Sequence, residues 1–127
     1  MAIALIPLLR GKKKSVQPNI YDNFRTIEYR LEGKNYHLFV ADNQEKWTAG
    51  LMYFRKLEGV DGMIFLFPSL EVRSFWNKNT YMDLDVYWLA GDEVLGKSKL
   101  PSIEKSKEIV VVDSPAPANK VIEIPMK

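Results

Sequence analysis

The sequence has no cysteine and only one histidine, His37, in 127 residues. Without a thiol there is no disulfide framework, no cysteine nucleophile and no thiolate metal cage, and the redox compartment is left open. A histidine-based metal site would need carboxylates for every other protein ligand. An excess of one charge is also missing. The 18 Lys and Arg stand against 16 Asp and Glu, and a formal net charge of +2 is too small to steer phosphates strongly, which disfavours nucleic acid as a partner. There is no glycine-rich phosphate loop, and no Gly-x-Ser-x-Gly elbow supports a serine, histidine and acid triad. Long hydrophobic runs are absent too. The stretch from Ala2 to Leu9 is broken by Pro7 and followed by Arg10, Lys12, Lys13 and Lys14. That order is the reverse of a secretory signal, and the stretch is too short to span a bilayer. The resulting expectation is a soluble monomer with no membrane span, no metal and no cofactor, cytoplasmic by default.

What is present reads as a folded β domain. Hydrophobic residues make up 46% of the chain and charged residues 27%, with 3 Trp, 6 Tyr and 6 Phe favouring strands. A chain of this length can bury roughly two-thirds of its unfolded surface around one core. Residues 1–20 lack periodicity and read as a tail or edge segment; Lys12 to Lys14 are either a contact for an anionic surface or a solvated linker. Residues 21–127 read as a single β domain.

Alternation from Phe24 to Leu31, a turn at Glu32-Gly33-Lys34 and renewed alternation through Tyr36, Leu38 and Val40 predict a hairpin. Asp42 followed by Glu45 has capping-box spacing and predicts one short helix over about 43–52. Its Trp47 and Leu51 would face the sheet, with Gln44 and Lys46 outward. Met63 to Phe67, apolar throughout and ended by Pro68, suits a strand covered on both faces. Phe75-Trp76 begins another strand. Asp83 to Leu89 and Val94 to Leu100 predict a second hairpin, Pro101 to Glu108 a surface loop, and Ile109 to Val112 and Val121 to Ile124 the last strands. Seven or eight short strands and one helix plugging an end predict a compact β-sandwich or partly closed barrel.

Two groups of residues could carry chemistry. Asp83 and Asp85, two apart on a strand, would stand on one face and could bind a cation or divide acid and base roles. The alternative is a pair of solvent-facing charges opposite the Leu84, Val86 and Trp88 stripe. From Phe75 to Thr80, large aromatics sit beside donors from Lys78 and Asn79, the mix expected of a small-molecule pocket. The alternative there is a strand end whose Asn and Lys only terminate pairing. His37, on the strand face opposite Tyr36 and Leu38, reads as a surface or edge residue.

Several words in the sequence occur together: Ala49-Gly50-Leu51-Met52, Asp61 to Phe67, Phe75-Trp76-Asn77-Lys78-Asn79-Thr80, Leu84-Asp85 and Val121 to Pro125. In order and spacing they resemble the domain of unknown function 192 family of bacterial and archaeal proteins, over about residues 35–125. The resemblance implies a compact, mainly β fold and no established activity. It marks Gly50, Leu51, Met52, Gly62, Met63, Phe75, Trp76, Lys78, Asn79, Thr80, Leu84 and Asp85. Asn77 replaces the family's usual Met, so soft-metal binding is not implied. Many relatives carry export signals, which this N-terminus does not display.

Gly50, Leu51, Met52, Asp61, Gly62 and Met63 read as structural: Gly50 for close approach of helix and strand, Asp61-Gly62 for a turn. Phe75, Trp76, Lys78, Asn79 and Asp85 are the expected ligand-binding group. The leading function is a noncatalytic small-ligand-binding or accessory domain. The alternatives are a protein-interaction module and an enzyme in which Asp85 acts as base or cation ligand while Lys78 stabilises negative charge.

Overall fold

A computed structural model describes residues 19–127. The Lys12 to Lys14 run and nearly all of the expected tail lie outside the described residues. The described chain begins with a 3₁₀ turn, Asn19–Asn23, followed by strands β1 (Thr26–Leu31) and β2 (Lys34–Ala41). Helix α1 (Gln44–Ala49) leads to β3 (Gly62–Glu71), β4 (Ser74–Trp76), β5 (Leu84–Ala90) and β6 (Glu93–Leu100). Helix α2 (Ile103–Ser106), β7 (Val111–Asp113) and β8 (Ala118–Pro125) complete it. The architecture is mainly β: a six-stranded sheet in the order β1-β2-β3-β8-β5-β6 and a two-stranded ribbon, β4-β7.

Local sequence sets most of these elements. Glu32 and Gly33 both take positive φ, 49° and 84°, and form the two-residue turn that joins β1 to β2 with Leu31 opposite Lys34. β2 and β3 pair in parallel, so the chain must cross over between them, and α1 lies in that crossover. The remaining pairings of the large sheet are antiparallel.

Strand alternation builds two cores. Met63, Phe65, Leu84, Val86, Trp88 and Val121 pack on one face with Leu51, Tyr21 and Phe24. Leu31, Leu38, Val40, Ile64, Leu89 and Ile122 pack on the other. Among the described residues no helix contributes to this second core. The sheet instead curls over it: the Tyr29 hydroxyl of β1 donates to Asp92 Oδ1 in the β5–β6 turn at 2.7 Å, and Lys120 Nζ reaches the same carboxylate at 2.9 Å. The result is a curled sheet that does not close into a barrel. The first face is covered by α1, the 3₁₀ turn and the ribbon.

The structure corrects four local expectations. The helix start is Asn43, whose side chain accepts from Lys46 N at 3.0 Å; Asp42 instead contacts Arg25 and Lys46. Lys46 is thereby drawn inward, its ammonium 5.0 Å from the centre of the Phe24 ring. Pro68 does not end β3, because the register against β8 shifts between Leu66 and Glu71 and a proline is tolerated at such an irregularity. A second short helix, α2, occupies the expected loop, capped by Ser102, whose hydroxyl accepts from Lys105 N at 3.1 Å.

Candidate functional site

The site lies on the face of the sheet covered by α1 and the ribbon. Trp47, one turn into α1, donates its indole N–H to Ala41 O at 3.0 Å and Leu66 O at 3.1 Å, and its ring lies 4.8 Å from that of Phe67. These bonds hold the helix off the sheet at a fixed distance. Phe75 points inward from the ribbon, edge-on to Phe65 and to Trp88 at centroid distances of 4.8 and 5.6 Å. Between helix and ribbon is a cleft of about 480 Å³, walled by Trp47, Phe65, Phe67, Phe75 and Trp76. Val72, Arg73 and Lys78 lie along its mouth, with Thr48, Gly50, Leu51 and Thr80 among the remaining lining.

Glu123 also lines the cleft. It sits on β8 opposite Met63 and Val86, two residues beyond Val121 and so on the cleft-side face of the strand. Only 4% of its surface is exposed. Burial pushes its carboxyl up to about 8, with no hydrogen bond or neighbouring charge contributing. The carboxyl has no hydrogen-bond partner among the described residues, and the protonated form dominates at neutral pH. Gly50 borders it: a Cβ on Gly50 would lie 4.0 Å from Glu123 Oε1. The Tyr21 hydroxyl, donating to Gly50 O at 2.6 Å, is raised by burial and then by the charge of Glu123.

The structure divides the expected ligand-binding group. Phe75, Trp76 and Lys78 come together at the cleft, with Lys78 Nζ 5.2 Å from the Trp76 ring centre and Trp76 46% exposed. Asn79 does not line it. Its backbone takes φ 53° in the turn, its side chain donates to the Tyr53 hydroxyl at 3.0 Å, and its carbonyl accepts from Tyr53 N at 2.8 Å. Asp85 is also elsewhere. Leu84 and Val86 on either side of it enter the cleft-side core, so Asp85 shares the opposite face with Tyr87 and Leu89. Asp85 and Lys78 therefore do not converge on one cavity. Asp83 lies just before β5 and accepts from Ser102 N at 2.8 Å and Lys105 Nζ at 3.2 Å, which hold its carboxyl below its ordinary value.

Asn77 is fully buried. Its amide donates to Pro101 O and Ser106 Oγ, both at 2.9 Å, and its carbonyl accepts from Val110 N at 2.8 Å. It ties the turn to α2 and β7, a role that a thioether could not fill. His37 is partly exposed beside Glu28, and its backbone N–H donates to Asp61 Oδ2 at 2.8 Å.

The structural glycines also differ from expectation. Gly50 ends α1 with φ 47°, and a Cβ there would meet Phe65 at an ordinary 3.6 Å, so the conformation rather than the space requires glycine. Gly62 is a strand residue, not a turn. A Cβ there would fall 2.1 Å from Glu123 O, so its absence lets β3 and β8 approach. Leu51 and Met63 are core residues, and Met52 is half-buried on the cleft lining.

Among the described residues no group of three or more His, Asp or Glu side chains is arranged to hold a metal ion. No helix among them is long and apolar enough to cross a membrane.

The fold and cleft define a class: a small mainly β domain with an open, aromatic-walled cleft against one face of a curled sheet. The chain belongs to the DUF192 family, described as "Uncharacterized ACR", whose model matches residues 27–127. Two solved structures share the fold. A protein of unknown function from Novosphingobium aromaticivorans DSM 12444 is 21% identical, with a TM-score of 0.64 over 80% of this chain and 73% of that one. A protein from Sinorhizobium meliloti 1021 that carries the provisional name of a transcription regulator is 28% identical, with a TM-score of 0.61 over 80% of this chain and 79% of that one. No curated protein matches the chain.

Proposed function

We propose that this protein is a noncatalytic small-molecule-binding domain and that the cleft between α1 and the ribbon is its binding site. The observation that carries this reading is the cleft of about 480 Å³ itself, walled by five aromatic rings and lined as well by polar side chains that include Thr48, Arg73, Lys78, Thr80 and Glu123. That size and composition suit a ligand with an apolar body. The rings are braced from behind, Phe75 by Phe65 and Trp88 and Trp47 by its two carbonyl bonds, so little side-chain freedom is lost on binding. Catalysis by Asp85 with Lys78 has no such support, since the two do not share the cavity.

The test is a fragment library screened by thermal shift and ligand-observed NMR. Hits should raise the melting temperature of the wild type and lose most of that effect in Trp76→Ala and Lys78→Ala. Hits whose effect is equal in wild type and both variants would remove the cleft as the site.

A second reading, a protein-interaction surface, is favoured by exposed apolar side chains on and beside the ribbon. Trp76 of β4 and Val111 of β7 are register partners with 46% and 55% of their surface exposed, and Leu70, Val72 and Ile109 are exposed as well. Light scattering across a concentration series tests self-association through this face; a mass that stays monomeric would exclude it.

A further inference from the structure

The cleft contains a polar group that the fold does not use. Buried polar side chains normally find partners, and Asn77, just past the end of β4, satisfies this with three hydrogen bonds. Glu123 has none among the described residues, although it is 4% exposed and borders a cavity large enough for a ligand. The two basic residues of the described cleft lining make contacts elsewhere. Arg73 donates Nε to Ala118 O at 3.0 Å and Nη2 to Ser69 O, and its guanidinium stacks 4.1 Å from the Phe67 ring centre. Lys78 lies over Trp76.

We infer that Glu123 is the anchor for a ligand ammonium group, and that the cleft takes monoamines carrying an aromatic or other apolar body. This rests on the reading of the cleft as a binding site. An ammonium brings a counter-charge and three donors to a carboxyl that has neither among the described residues, while the aromatic walls take the apolar body and favour the cation through their ring faces. Gly50 borders the carboxyl, since a Cβ there would lie 4.0 Å from Glu123 Oε1. The cations at the mouth, Arg73 and Lys78, select against a second positive charge on the ligand, so polyamines are poor occupants.

Binding of a cation at this carboxyl must displace its proton. Tyr21 from the 3₁₀ turn, its hydroxyl held neutral by burial, faces it, and Arg73 and Lys78 lie on the same cleft lining. α1 contributes neutral Thr48, while β3 and β5 present Met63, Phe65 and Val86. Affinity for an amine should therefore rise with pH until the amine itself loses its proton.

The test uses phenethylamine and its neutral match, 2-phenylethanol, titrated by NMR while following the Trp47 indole N–H and the Gly50 amide. The amine should bind at least about tenfold more tightly than the alcohol. Its affinity should rise about tenfold or more between roughly pH 6.5 and 8.5, while that of the alcohol stays flat. Glu123→Gln, an isosteric change, should abolish both the preference and the pH dependence and leave alcohol binding intact. Spermidine should bind no better than phenethylamine. Equal binding of amine and alcohol, or amine binding unchanged in Glu123→Gln, would overturn the anchor and leave the cleft as a binding site. Absence of binding by either probe would overturn the anchor as well, and the cleft reading would fall with it only if the fragment library also gave no cleft-directed hit.

Discussion

The joint around Asn77 and the floor of the cleft around Glu123 pose the same physical problem and solve it differently. Both residues are polar and buried, with 0% and 4% of their surface exposed. Asn77 meets a carbonyl, a hydroxyl and a backbone N–H, and in doing so connects the β4–β5 turn to α2 and β7. Glu123 meets the cleft with no hydrogen-bond partner among the described residues, and its carboxyl is pushed up to about 8 by burial alone. A satisfied buried group holds the fold together, whereas an unsatisfied one costs stability and is explained by something outside the fold.

The largest expected effect is on pH dependence. The folded Glu123 carboxyl lies near 8 and its ordinary value is 4.5. A raised acid binds its proton more tightly in the folded state. Its contribution is therefore constant below about pH 4.5, falls as pH rises from there to about 8, and levels off above, a total on the order of 5 kcal/mol. Urea denaturation of wild type and Glu123→Gln across this range checks it. The two should be similar near pH 5, and the variant more stable by a few kcal/mol near pH 9. A wild-type curve parallel to that of the variant would break the contrast.

Next in size is Asn77→Leu, which removes three hydrogen bonds from part-buried partners and should cost about 2–4 kcal/mol by the same measurement. Gly62→Ala follows at about 1–3 kcal/mol, because a methyl placed 2.1 Å from a backbone oxygen forces β3 and β8 apart. Gly50→Ala should cost roughly 1–2 kcal/mol through its positive φ alone, and its smaller loss would separate conformation from space as the reason for glycine. Trp76→Ala is the smallest, within about 0.5 kcal/mol for an exposed side chain, and its effect should appear in binding instead.

Much of the fold was legible because strand alternation is a direct record of which face is buried. Ile27, Tyr29 and Leu31, and Leu84, Val86 and Trp88, each fall on one side as their spacing predicts. The short helix α2 was not legible, since four residues are too few to show helical periodicity and its capping serine follows a proline that signals a loop. The cap at Asn43 in place of Asp42 was a choice between adjacent residues of similar capping chemistry, decided by backbone conformation. For the candidate site, the aromatic and lysine half of the Phe75 to Thr80 segment reaches the cleft. Asp85 was drawn into that group by closeness in sequence, although its own alternation with Leu84 and Val86 points it to the other face. Glu123 was missed because it reads as one acid inside Val121 to Ile124. The available signal was that a carboxylate alternating with Val121 must fall on the buried stripe of a central strand.

The Tyr21 hydroxyl gives the cleft a further property. It donates to Gly50 O at 2.6 Å, close to Ala49 O and Met52 O, and so straps the chain ahead of β1 to the segment that ends α1. Loosening of the strap and loosening of the cleft wall are then one event. An occupant that steadies the wall would slow amide exchange in the 3₁₀ turn, which it never touches.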